Sequence, residues 1–178
     1  ALGGSKPTAL TARRLENPEG ASAMGAFSPD GRYMSFSDWR TGDLAIRDLQ
    51  TGKDRGLTGE GTQADRGSKV QQVAGGSAWS SDSRQVAYTW YVSSDGVRAE
   101  VRVVGLDGGK PRILTRYDGV REMGSFAWSP DGRYIVASVY LQDGPPRIAL
   151  ISTVDGTTRT LIDLKREIYP TTVAFSPD

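Results

Sequence analysis

Short runs of β-branched and aromatic residues recur along the chain, separated by turns rich in glycine, proline and aspartate. The clearest runs are Arg32–Trp39, Arg84–Tyr91 and Arg133–Tyr140, each with apolar side chains on both faces of an extended backbone. Such a strand is typical of a sheet that is covered on both sides. Aligned on one another, the runs predict a repeated unit of about 50 residues that contains four short strands.

The turn after the first strand of each unit carries the most regular motif. Ser-Pro-Asp-Gly occupies positions 28–31 and 129–132, Ser-Ser-Asp-Ser occupies 80–83, and Ser-Pro-Asp occupies 176–178. Proline presets φ, aspartate accepts a hydrogen bond from a downstream backbone N–H, and glycine tolerates a positive φ. The motif therefore predicts a tight turn, and we assign its aspartates to that turn and not to a metal site. An aromatic residue precedes each copy and predicts a packing layer: Phe27, Trp79, Trp128 and Phe175.

Four antiparallel strands in a unit of this length predict an all-β fold, the β-propeller. We expect three full blades plus an N-terminal outer strand and a C-terminal inner strand. Closed propellers have roughly four to eight blades, so we expect an incomplete propeller. The predicted boundaries are an outer strand and connection at 3–23, blade 1 at 24–58, a connecting loop at 59–75, blade 2 at 76–115, blade 3 at 125–162 and the inner strand of a next blade at 172–178.

The order of these signals resembles the TolB-like, or WD40-like, propeller repeat. An aromatic residue and Ser-Pro-Asp-Gly are followed by arginine, an apolar strand, an Asp-Gly turn and a Leu-Thr outer strand, and the match runs from Gly3 to Asp178. The resemblance implies a non-catalytic, protein-binding module in the bacterial periplasm or another extracytoplasmic compartment. Relatives of the repeat also form the propeller of prolyl-oligopeptidase and dipeptidyl-peptidase enzymes, whose catalysis lies in a separate α/β-hydrolase domain.

The amino-acid composition excludes most of the common catalytic arrangements. The chain contains no cysteine and no histidine, so it offers no disulfide, no thiolate nucleophile and no Ser-His-Asp triad. Its 22 basic and 21 acidic residues are nearly balanced, and no apolar stretch has the length of a transmembrane helix. We therefore expect no enzyme activity, no cofactor or metal, no nucleic-acid partner and no membrane insertion.

One face of the predicted propeller carries the candidate site. The loops between second and third strands share that face with the connections between blades, and many propellers bind partners there. Trp39, Tyr91 and Tyr140 are open to a second interpretation as packing at the blade edge. The polar connections, which include Tyr117 and Tyr169, are open to a second interpretation as solvated loops. The candidate partner-binding residues are Trp39, Arg40, Asp65, Arg66, Tyr91, Tyr117, Arg121, Tyr140, Arg166 and Tyr169.

Three functions remain open at this point. The first is a protein–protein interaction scaffold. The second is the propeller portion of a serine peptidase whose hydrolase domain is absent from this sequence, and the third is a small-molecule sensor that uses the channel mouth. Self-association through open blade edges is a further expectation, because an unclosed ring leaves apolar faces and strand edges uncovered.

Overall fold

A computed structural model describes residues 25–62, 70–165, 170 and 172–176. Within these ranges the chain forms three four-stranded antiparallel sheets and no helix, which confirms the predicted all-β fold with four-stranded blades. In each blade the strands lie side by side in chain order. Blade 1 consists of β1 (Ala26–Phe27), β2 (Tyr33–Ser37), β3 (Leu44–Asp48) and β4 (Asp54–Gly56). Blade 2 consists of β5 (Gln71–Trp79), β6 (Gln85–Ser93), β7 (Val97–Gly105) and β8 (Gly108–Asp118). Blade 3 consists of β9 (Val120–Trp128), β10 (Tyr134–Leu141), β11 (Arg147–Ser152) and β12 (Thr158–Asp163).

The repeated tetrad forms the turn between the first two strands of each blade. In blade 3 the Ser129 hydroxyl donates to Asp131 Oδ1 at 2.6 Å, and the same oxygen accepts from the backbone N–H of Arg133 at 3.0 Å. The last tetrad position is in the left-handed region, at φ 69° for Gly31 and 74° for Gly132. These contacts make the aspartate a structural acceptor in its own turn, as the sequence predicts.

The second copy of the turn carries serine where the other two carry glycine. Ser83 has φ 60° and is the one non-glycine residue with a positive φ among those the structure describes. Its hydroxyl accepts a hydrogen bond from the backbone N–H of Asp30 in blade 1, at 3.1 Å. The strained residue is thus also a contact between neighbouring blades.

Blades 1 and 2 are joined by Trp79, which is 6% exposed. Its indole N–H donates to the Ala26 carbonyl oxygen at 2.9 Å and to Ser35 Oγ at 3.1 Å, both in blade 1. Its ring stacks on Tyr33, with centroids 6.1 Å apart and planes 13° from parallel. The packing role predicted for this aromatic position holds for Trp79, which adds two hydrogen bonds to it, whereas Phe27 at the matching position of blade 1 is 57% exposed.

Blades 2 and 3 share an apolar core, and one residue connects the two blades. Strand β8 ends at Asp118 and β9 begins at Val120, so Gly119, at φ 63°, is the whole connection. The sequence places a polar connection at residues 116–122, whereas the structure places nearly all of that segment in strands. Cross-strand pairing decides the outcome, because Tyr117 pairs with Ala99 and Val120 pairs with Leu141.

Two further boundaries differ from those in the sequence analysis. Strand β5 begins at Gln71, inside the predicted loop 59–75, because its first residues pair with the end of β6. Residues 172–176, the predicted inner strand, are not in a strand, because they make no ladder of backbone hydrogen bonds with the described strands. The predicted N-terminal outer strand and Asp178 lie outside the described residues.

Candidate protein-interaction site

The antiparallel order of each blade brings two kinds of connection to one side of the molecule. These are the loops between second and third strands, at 38–43, 94–96 and 142–146, and the connections between blades, which include Gly119. We call this side the loop face. The tetrad turns and the turns between third and fourth strands lie on the opposite side.

The loop between β2 and β3, residues 38–43, presents Trp39 with 55% of its surface exposed. The backbone beneath it is closed by hydrogen bonds from Asp38 N–H to the Asp43 carbonyl oxygen at 2.8 Å and from Gly42 N–H to the Asp38 carbonyl oxygen at 2.7 Å. Gly42 has φ 84°, a value that glycine adopts without strain. The indole is therefore displayed on a loop with a defined conformation. We call residues 38–43 the Trp39 loop.

Arg40 is held beside Trp39 by Asp38. The Arg40 guanidinium donates to the two carboxylate oxygens of Asp38 at 3.1 and 3.0 Å. The side-chain hydrogen bond from Arg40 keeps the pKa of Asp38 below its ordinary value, although partial burial acts in the opposite direction. This bidentate pair fixes the guanidinium on the loop face next to the indole.

Asp43 fastens the Trp39 loop to the connection that leads into blade 2. Its Oδ1 atom accepts from the Thr58 hydroxyl at 2.8 Å and from the backbone N–H groups of Glu60 and Gly61, both at 3.0 Å. Gly61 packs so closely against the loop that an added Cβ would collide with the Thr41 carbonyl oxygen. The loop and the start of the connection thus form one packed unit.

The predicted tyrosines pack within the protein. Tyr140 is 3% exposed, and its hydroxyl donates to the Pro170 carbonyl oxygen at 3.3 Å. The Tyr91 hydroxyl bonds with both backbone groups of Met123, and burial raises the pKa of Tyr91 to about 12. Tyr117 is half-buried against blade 3, and burial raises its pKa too. In this structure Tyr91 and Tyr140 therefore pack within the protein, and Tyr117, which the sequence assigns to a connection between blades, contacts the core as well.

The remaining candidates divide into two groups. Arg121 is exposed on β9 next to Gly119, and it stays with Trp39 and Arg40 as a surface residue of the loop face. The other four lie outside the described residues: Asp65, Arg66, Arg166 and Tyr169.

Blade 2 carries a charged cluster that was not predicted from the sequence. It is centred on Glu100, which is 2% exposed and lies within ion-pair distance of Arg98, Arg102 and Arg116. A signal was present in the alternation of β7, where charged residues at 98, 100 and 102 alternate with Ala99, Val101 and Val103. The alternating apolar residues are buried against blade 3, which leaves the charged set on the other face of the sheet.

The described part of the loop face exposes aromatic and charged side chains. No group of three or more acidic, histidine or cysteine side chains in the described ranges is arranged to hold a metal ion. The same ranges contain no helical segment with the length and hydrophobicity needed to span a bilayer. What the loop face offers is an exposed indole, exposed guanidinium groups and hydrogen-bonding backbone.

Comparison with known proteins places the chain among propellers. No protein-family model matches it. It is 32% identical over 122 residues to a TolB homolog of Chlorobium chlorochromatii, a match that covers 67% of this chain and 24% of the relative. The chain therefore spans about a quarter of the length of that curated relative.

Solved structures agree on the fold. TolB from Acinetobacter baumannii superposes with a TM-score of 0.57 at 19% identity, over 77% of this chain and 31% of that one. An acylaminoacyl peptidase from Pyrococcus horikoshii superposes with a TM-score of 0.54, also at 19% identity, over 81% of this chain and 25% of the enzyme. At these identities the likeness concerns architecture alone.

Proposed function

Because the chain is a TolB-like β-propeller repeat protein, we propose that it is a non-catalytic module that binds a protein partner through the Trp39 loop. The observation that carries this proposal is the exposure of Trp39 on a loop that has hydrogen bonds both within itself and to the connection that leads into blade 2. A large exposed indole on a fixed backbone serves no purpose in packing the described blades, in contrast to buried Trp79 and Trp90.

The energetics of protein interfaces support the choice of this loop. Tryptophan and arginine are enriched among the residues that contribute most to binding, and Trp39 and Arg40 are neighbours here. Since Asp38 and Asp43 already fix the loop, little conformational entropy is lost when a partner orders it.

An open groove beside the Trp39 loop provides room for a partner's side chain. Its volume is about 290 Å³, its floor includes Phe36 and Ala45, and its rim includes Asp38, Arg40 and Thr41. Apart from Phe36 and Ala45 the lining is mostly polar, so the groove suits a partner's side chain that makes hydrogen bonds at the polar rim of an interface.

The proposal includes a location and excludes catalysis by this chain. Similarity to TolB supports an extracytoplasmic compartment, such as the bacterial periplasm, and a protein partner in place of a substrate. The rival function, the propeller portion of a serine peptidase, requires a hydrolase domain from outside this sequence. The 178 residues hold no histidine from which a Ser-His-Asp triad could be built.

Site-specific photo-crosslinking tests the proposal. A benzophenone-bearing amino acid at position 39 should give a discrete crosslinked protein in a bacterial envelope extract. The same group at position 154, where Val154 is 79% exposed on the opposite side, should not give that product. With the crosslinked partner purified, Trp39→Ala should weaken binding about tenfold or more and Val154→Ala should leave it unchanged. Identical products from both positions, or no product at position 39, would refute the role of the loop.

A further inference from the structure

Glu100 on β7 is a buried carboxylate that organises three arginines. Its Oε2 atom accepts from Arg102 Nε at 2.8 Å, and Arg102 Nη2 lies 2.6 Å from the same oxygen. Its Oε1 atom accepts from Arg116 Nε at 2.9 Å and lies 3.6 Å from Arg98 Nε. Because both of these distances end on one oxygen, the guanidinium groups of Arg98 and Arg116 lie side by side.

Arg102 forms the buried base of the cluster. Its guanidinium lies 4.8 Å from the centre of the Trp90 ring, and its Nη1 atom donates to Glu60 Oε2 at 2.9 Å. Burial opposes the ionisation of Glu100, but hydrogen bonds from Arg116 and Arg102 outweigh it, so the pKa of Glu100 lies below its ordinary value. The buried Glu100–Arg102 pair is therefore charged, hydrogen-bonded and fixed in position.

Arg98 and Arg116 differ from Arg102 in their exposure. Their side chains are 46% and 58% exposed, whereas that of Arg102 is 9% exposed. Each is held through its Nε atom, and neither has a protein acceptor for its terminal nitrogens among the described residues. A guanidinium has five N–H donors, so most of the donors of these two groups face solvent.

We propose that Arg98 and Arg116 form a binding site for the carboxylates of an acidic segment of a protein partner, with Glu100 as the residue that positions them. Paired guanidinium groups match carboxylate oxygens in geometry and charge. The proposal rests on the proposed protein-binding function and adds the chemistry of the partner. It places a second contact on blade 2, near the end of β7 that adjoins the loop face.

An acidic protein segment fits the site better than a nucleic acid does. The whole chain has a net charge of +1, which does not supply the basic surface that follows a phosphate backbone. Asp118 also lies opposite Arg98 in the β7–β8 register. A flexible peptide can turn its carboxylates towards the arginines and away from Asp118, whereas the phosphate spacing of a nucleic acid is fixed.

Binding of a fluorescein-labelled octaglutamate peptide to the whole chain, followed by anisotropy at low salt, tests the proposal. We expect Arg98→Gln/Arg116→Gln to weaken binding about tenfold or more. The matched control is Arg112→Gln/Arg159→Gln, which removes two exposed arginines of outer strands β8 and β12 and the same net charge. That control should change the affinity less than about twofold, as expected for contacts outside the site. Equal losses in the two double variants would show attraction to net charge alone and would overturn the proposal.

Glu100→Gln separates positioning from charge. This change removes one negative charge, so simple attraction predicts tighter binding of octaglutamate, whereas loss of positioning predicts weaker binding. Weaker binding with an unchanged circular-dichroism spectrum supports the proposal, and tighter binding overturns it. Should this variant not fold, the paired arginine variants still decide the question.

Two further arms complete the experiment. An oligonucleotide that binds while octaglutamate does not would assign the arginines to phosphate and overturn the proposal. Trp39→Ala should leave octaglutamate binding unchanged, so that a failure at Trp39 is distinguished from a failure at Arg98 and Arg116.

Discussion

Replacing Trp79 with phenylalanine tests how much one hydrogen bond contributes to the junction of blades 1 and 2. The change removes the indole N–H that donates to the Ala26 carbonyl oxygen at 2.9 Å and to Ser35 Oγ at 3.1 Å. It keeps an aromatic ring at a position that is 6% exposed and stacked on Tyr33. The perturbation is therefore confined to one donor and part of one ring.

The structure sets the expected size of the effect. Loss of the hydrogen bond costs about 0.5–1.5 kcal/mol, and the low end applies because the Ser35 hydroxyl also donates to the Ala26 carbonyl oxygen. The smaller ring loses packing equivalent to one or two methylene groups, about 1 kcal/mol. We expect Trp79→Phe to lower the free energy of unfolding by about 1.5 kcal/mol.

Trp128→Phe is the matched control. The indole N–H of Trp128 donates to the Gly132 carbonyl oxygen at 3.0 Å, a bond inside its own turn and not between blades. Urea unfolding followed by far-ultraviolet circular dichroism compares the two variants without relying on tryptophan fluorescence. Combining Trp79→Phe with Ser35→Ala should give a coupling energy of about 0.5 kcal/mol or more.

Two results would refute the argument. One is a cost for Trp79→Phe no greater than that for Trp128→Phe. The other is strict additivity of Trp79→Phe and Ser35→Ala, since additive effects would mean that the indole and the hydroxyl contribute independently of each other.

Four other expectations follow from contacts described above. Asp131→Ala should lower the melting temperature without loss of partner binding, because the carboxylate bonds Ser129 and Arg133 in its own turn; loss of binding at an unchanged melting temperature would contradict this. Hydrogen bonds from serine hydroxyls lower the pKa values of Asp30, Asp82 and Asp131, so the stability that these carboxylates contribute should be present above the ordinary aspartate pKa of 3.8 and be lost as the pH falls further, as acid titration of ellipticity will show. Tyr91 and Tyr88 should both ionise near pH 12 by absorbance titration, and Tyr91→Phe should reduce the amplitude of that late step without removing it. Light scattering of the purified chain should show association that grows with concentration, because Phe27 on β1 is 57% exposed and Ile162 on edge strand β12 is 54% exposed. A constant monomer mass would contradict this expectation.

Local chemistry explains which features the sequence predicts. The tetrad turn was predictable because its donors and acceptors lie within five residues of one another, as in the bond from Tyr134 N–H to Ser129 Oγ. The strand content of residues 116–122 was not, since arginine, tyrosine and aspartate at an exposed edge have the composition of a loop. Only the pairing of that segment with β7 and β10 makes it a strand.

The candidate site shows the same limit. Trp39, the last residue of the predicted strand Arg32–Trp39, is exposed because β2 ends at Ser37. The packing of Tyr91 and Tyr140 depends on Met123 and Pro170, which are distant in sequence. The Glu100 cluster carried a local signal in the alternation of β7. Arg116, one of the two exposed arginines of the cluster, lies on β8, so its contact with Glu100 could be found only from the structure.

The serine at position 83 bears on how repeats should be averaged. A consensus blade derived from this chain would carry glycine there, since the first and third tetrads do, and it would relieve the left-handed serine of its strain. The same substitution would delete the acceptor that receives the Asp30 N–H from the neighbouring blade. The departure from the repeat motif at this position therefore provides a contact that only neighbouring blades 1 and 2 make, and a consensus sequence would lose that contact.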